Sequence, residues 1–149
     1  MISTLITFLI SNAQAYEHYA TWESTPQVIT CGKNATKKEE VDKSLNYWRE
    51  RGYKFSEVLE KTSCPEPKPG LIIVMTQDFP NRQGLTRTTC YTYKGDPKEY
   101  VDYAVVKVNN SQVLYPGENI ESLAHEVGHA LGIGHVNDRT DIMYPSAIK

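Results

Sequence analysis

The run "GLIIVMT", residues 70–76, restricts the fold more than any other segment. Five consecutive apolar residues, Leu71 to Met75, leave no polar face in a strand of period two, so the strand has to be covered on both sides. Upstream, "TKKEEVDKSLNYWRERG" (36–52) predicts a helix. Thr36 and Glu39 are spaced as a capping box, Val41, Leu45 and Trp48 form one apolar stripe, and Gly52 stops the helix. The β-branched "PQVITC" (26–31) before it predicts another strand. Strand, helix, strand in that order implies parallel pairing. "CPEPKPG" (64–70) is a loop, "GLTRTTCYTY" (84–93), rich in Thr and Tyr, a more exposed edge strand, and "YAVVKVN" (103–109) a further strand before the break at Pro116 and Gly117.

With 149 residues, 40% of them hydrophobic, the chain fits one domain with one core. Net charge is −2 and the charges are interspersed, which favours neither nucleic acid nor an anionic membrane. Residues 1–15, "MISTLITFLISNAQA", combine a short apolar stretch with an Ala13-Gln14-Ala15 ending, the pattern of a secretory signal peptide; a buried strand is the competing reading. The apolar run is far below the ~18 residues that span a bilayer. The expectation is a signal at 1–15, one domain at 16–149, and a secreted, extracellular or periplasmic monomer without stable membrane insertion. Cysteines 31, 64 and 90 are odd in number. In an exported chain Cys31 and Cys64 are the preferred pair, flanking the first helix, against an alternative of three buried thiols. Asn34 in "NAT" and Asn109 in "NNS" are glycosylation sequons that matter only in a eukaryotic secretory pathway.

Three of the four histidines fall within residues 125–135. Apolar residues at 120, 123, 124, 127, 130 and 131 define a helix with Asn119 as a plausible N-cap. His125 and His129 then project one turn apart, roughly opposite that stripe. Gly132 ends the helix with a positive φ, Gly134 loosens the chain again, and His135 returns to complete a three-nitrogen site for one zinc ion. Glu126 lies beside the pair on the helix surface, fit to act as general base on a metal-activated water. Satisfied histidines on a polar face are the bland reading. The five fixed identities of H-E-x-x-H-x-x-G-x-x-H make a chance match on the order of one in 10⁵.

The segment His125–His135 resembles the extended zinc signature of the metzincin metallopeptidases, and "DIMYPS" resembles their Met-turn, with "IMYP" most similar to the matrixin branch. The resemblance implies an α+β, zincin-like fold: a twisted mixed β-sheet, two main helices, the active-site helix carrying HExxH, then the Met-turn. It implies one catalytic Zn²⁺ held by His125, His129 and His135, Glu126 as base and proton shuttle, Met143 as an apolar floor, and Tyr144 and Pro145 near the wall of a protein or peptide substrate pocket. Read on their own, Met143 is ordinary core and Tyr144 is packing. Val136 after the third histidine leaves the subfamily open. His18 is the only other histidine, too few for a second, structural zinc site, and "ITCGKN" is a poor substitute for a cysteine latency segment. The expected function is a zinc-dependent endopeptidase. The alternatives are a zinc-stabilised, non-catalytic binding module of the same fold and a zinc hydrolase of non-peptide amides.

Overall fold

The computed structural model describes residues 16–109 and 118–145, and of residues 118 and 119 the backbone alone. The expected signal segment and the break at Pro116 and Gly117 lie outside the described residues; Asn119, expected as an N-cap, instead lies within helical backbone that already begins at Glu118.

The elements follow as β1 (Gln27–Cys31), α1 (Lys38–Arg49), β2 (Leu59–Lys61), β3 (Leu71–Gln77), β4 (Gly84–Thr92), β5 (Glu99–Asn109) and α2 (Glu118–Ala130). They form an α+β fold around one mixed five-stranded sheet of order β2-β1-β3-β5-β4. β1 pairs in parallel with β2 and β3, and β3 with β5, while β4 runs antiparallel to β5 at the edge. The apolar run is therefore the central strand. Ile72 and Val74 face a core shared with Val41, Leu45 and Trp48 of α1 and Leu123, Val127 and Ala130 of α2. Leu71 and Ile73 face a smaller cluster on the other side, with Ile29 and Cys31. Both faces are covered, as a continuous aliphatic strand requires. Cys31 and Cys64 form the expected disulfide within that second cluster, and Cys90 is free.

Two further details differ from the sequence reading. The capping box does not form: α1 starts at Lys38 with Lys37 as N-cap and no side-chain cap. Thr36 instead turns inward; it is buried, its hydroxyl has no partner among the described residues, and its carbonyl accepts from the Thr30 hydroxyl at 2.6 Å. Glu39 and Glu40 still supply negative charge to the first turn. The three-residue β2 has no signal in the sequence, because an exposed "LEK" carries no apolar pattern and gains its strand geometry from pairing with β1.

α1 and α2 are tied by more than apolar contact. The buried Trp48 indole N–H donates to the Ala124 carbonyl at 2.8 Å, and the Ser44 hydroxyl lies 3.2 Å from the Ile120 carbonyl. Of the two sequon asparagines, Asn34 is exposed at φ 56, whereas the Asn109 amide donates inward to the Phe79 and Arg82 carbonyls. Among the described residues no helix is long and apolar enough to cross a membrane.

Candidate metal centre

α2 delivers His125 and His129 one turn apart, and its C-terminal end decides where His135 goes. Gly132 N–H donates to His129 O and Ile133 N–H to Gly128 O, each at 3.0 Å, closing the helix around a Gly132 φ of +87°. That left-handed conformation is the one expected from the sequence. Gly134, in contrast, is not among the glycines with positive φ, so the loosening expected there is not a left-handed turn.

The reversal brings the three histidines together. Nε2 of His129 lies 3.2 Å from Nε2 of both His125 and His135, and the third side of the triangle is 3.3 Å. Ligand nitrogens held about 2.0–2.1 Å from a tetrahedral ion lie roughly 3.3–3.4 Å apart. The donor set thus has the size zinc asks for. Tautomers agree: His125 Nδ1 is 2.6 Å from the Ile142 carbonyl and His129 Nδ1 is 2.8 Å from the Ile133 carbonyl. A carbonyl only accepts, so both protons sit on Nδ1 and both Nε2 lone pairs turn toward the shared point. Burial, reinforced by the neighbouring imidazoles, holds His129 down to about 4, and burial with His125 lowers His135. Neutral imidazole is the form that binds a metal.

An N-terminal strap, residues 16–22, braces this turn. Tyr19 N–H donates to Gly132 O and its hydroxyl to His129 O, both at 2.8 Å, while the Trp22 indole N–H donates to Ala130 O at 2.8 Å. Trp22 thereby takes up a carbonyl that the end of the helix leaves open, while Tyr19 adds a second donor to His129 O and one to Gly132 O beyond the helix. His18 pairs with Ile133 in an isolated bridge, and the Tyr16 hydroxyl meets both Asp141 carboxylate oxygens at 3.0 and 2.9 Å. Asp141 in turn accepts from Met143 N–H at 2.7 Å.

Glu126 corrects the sequence reading. It is not on the helix surface but 8% exposed, beneath edge strand β4. The Thr86 hydroxyl lies 2.6 Å from its Oε2, and Gly84 opposes its Cγ so closely that a Cβ there would stand 2.8 Å away. Burial pushes the carboxyl above its ordinary range; the Thr86 hydrogen bond pulls the other way. Helical periodicity places a residue on a helix face but says nothing of which strand covers it, so Thr86 and Gly84 left no signal in the sequence.

Met143 is fully buried in the main core, under α2. It depends on Gly128: a Cβ there would lie 2.6 Å from Trp48 Cζ2 and 2.9 Å from Met143 Cε. Gly128 is therefore a packing glycine, between His125 and His129. Tyr144 is half-buried, its N–H donating to Asp141 O at 3.1 Å, and Pro145 is exposed; both follow directly on the turn that carries Met143.

A family model described as matrixin matches residues 98–149. Over this segment the chain is similar to the matrixins. The matched segment holds β5, α2, all three histidines, Glu126 and Met143, but is shorter than half of the chain and leaves out β1, α1, β3 and β4. No curated protein matches the chain. The match supports a matrixin-like, metallopeptidase-like domain at its C-terminal part, a family for which zinc is implied.

Proposed function

We propose that the chain is an exported, monomeric, zinc-dependent endopeptidase with its single catalytic domain at 16–149. The observation that carries this reading is the triangle of Nε2 atoms at 3.2–3.3 Å with the buried Glu126 carboxylate on the helix that bears His125 and His129. His125, His129 and His135 would hold the ion. Zinc bound by three histidines with an open fourth position supplies Lewis-acid chemistry, acidifying a water and polarising a carbonyl.

The remaining work falls to the chain. Glu126 accepts a proton from the attacking water and returns it to the departing amine nitrogen as the C–N bond breaks; a carboxyl raised above its ordinary range suits both directions of transfer. An extended substrate adds as a further strand to the outer edge of β4, which pairs with β5 on its inner side alone among the described strands. Met143 lies under α2, and Tyr144 and Pro145 would border the substrate. The disulfide fits an oxidising compartment and with it the signal reading of residues 1–15.

Metal analysis and cleavage of denatured casein by wild type, Glu126→Gln and His129→Ala test the reading. Wild type should bind one zinc per chain, lose cleavage to a chelator and regain it with added zinc. Glu126→Gln should keep its zinc and lose about 10²-fold or more in turnover. His129→Ala should lose both. A non-catalytic binding module predicts zinc without cleavage in any variant, and that result overturns the proposal.

A further inference from the structure

We propose that Thr86 is a positioning residue for Glu126, its hydroxyl deciding which carboxylate oxygen works as the base; this deepens the peptidase reading and rests on it. Glu126 is held at two points, both from the same face of β4. Gly84 has no side chain where one would collide with Glu126 Cγ at 2.8 Å and with the Lys107 carbonyl at 2.9 Å. Two residues on, the Thr86 hydroxyl stands 2.6 Å from Glu126 Oε2 and 2.9 Å from the Glu126 carbonyl. A hydroxyl has one proton, and the shorter contact to a charged acceptor takes it.

Oε2 is thereby committed, and among the described residues Oε1 accepts no hydrogen bond. One oxygen orients the group and the other is open to exchange a proton. The Thr86 backbone does not drift, because β4 pairs with β5 through Thr86↔Val106. Neighbouring residues offer no substitute, since Leu85 has no polar group and the Thr88 hydroxyl lies 3.1 Å from that of Tyr19. The carboxylate of a base must be held within a narrow angular range to act, and a free glutamate side chain has several rotamers.

Thr86→Val and Thr86→Ser separate the hydroxyl from the shape of the side chain. Valine keeps the branched volume and favours a strand, so the fold is retained. On the full chain with denatured casein, Thr86→Val should lose about tenfold or more in kcat with KM within about twofold of wild type, the loss expected for a hydrogen bond to a charged group. Zinc per chain should be unchanged, and Thr86→Ser should restore most of the turnover. A readout independent of activity is the crystal structure of metal-free Thr86→Val, in which Glu126 should occupy more than one rotamer. Full kcat in Thr86→Val, a serine variant no better than valine, or one wild-type rotamer for Glu126 overturns the role of Thr86. If wild type itself binds zinc and cleaves nothing, the peptidase reading falls and takes the base-selecting role with it; wild-type cleavage beside an unimpaired Thr86→Val removes Thr86 alone.

Discussion

The backbone of Ala20 fills the space that a Cβ on Gly132 would need: the Ala20 carbonyl carbon lies 2.8 Å from that point, with the carbonyl oxygen closer still. The strap and the turn after α2 are thus fitted to each other through a missing side chain, and the turn decides whether His135 reaches the other histidines.

Gly132→Ala should be among the most damaging single substitutions in the chain. It places a side chain at φ +87° and drives it into backbone that cannot swing aside. The expected cost is about 2 kcal/mol or more, from left-handed strain of roughly 1–2 kcal/mol together with displacement of the strap. Urea unfolding measures the first effect and zinc per chain the second. Unchanged stability with full zinc content would show that the strap does not seat against the turn.

The strap itself can be tested by where the chain begins. A chain starting at Tyr16 should bind zinc and keep its stability. One starting at Glu23 loses the Tyr19 and Trp22 donors to His129, Ala130 and Gly132, and should unfold at a lower temperature and hold zinc more weakly. Three hydrogen bonds at about 1 kcal/mol each, on carbonyls that water can partly reach, set the scale. Isothermal titration of zinc into the two chains compares them directly.

Gly128→Ala overpacks the contact between α2, Met143 and Trp48. Methionine can yield, but the Trp48 ring is fixed by its hydrogen bond to Ala124, so part of the strain stays. A loss of about 1–3 kcal/mol is expected, despite alanine's higher helix propensity. A stabilised variant in urea unfolding would contradict this account of the glycine.

Replacing both Cys31 and Cys64 by alanine should lower stability by about 3–4 kcal/mol, the chain-entropy figure for a loop of 33 residues. The sulfurs belong to the smaller cluster with Ile29, Leu71 and Ile73, not to the core around α2. Zinc binding at saturating metal should therefore survive. Loss of zinc with the fold intact would mean that the two faces of the sheet are coupled.

Much of the fold was legible because its signals are local. The run Leu71–Val74 announces a covered strand by lacking any polar face, and Val41, Leu45 and Trp48 announce a helix by their spacing. The parallel pairing of β1 and β3 follows from the helix between them. The grouping of His125, His129 and His135 was legible for the same reason, since one short interval of sequence holds all three, whereas the burial of Glu126 was not. Thr36 shows the limit, since a correct capping spacing lost to an inward turn of the side chain.

By itself the sequence determined which groups could form the site, because i and i+4 imidazoles on a helix and a glycine stop after it are matters of backbone geometry within a few residues. Tertiary structure alone decided how those groups are held. Thr86 reaches Glu126 from 40 positions away, Tyr19 reaches His129 from 110, and Tyr16 reaches Asp141 from 125. None of these contacts has a period or spacing to betray it; each exists because the sheet order puts β4 over α2 and the chain closes residues 16–22 onto the far end of that helix. A hydrogen bond between distant residues depends on where the whole core sets two backbones, and no short stretch of sequence contains that information.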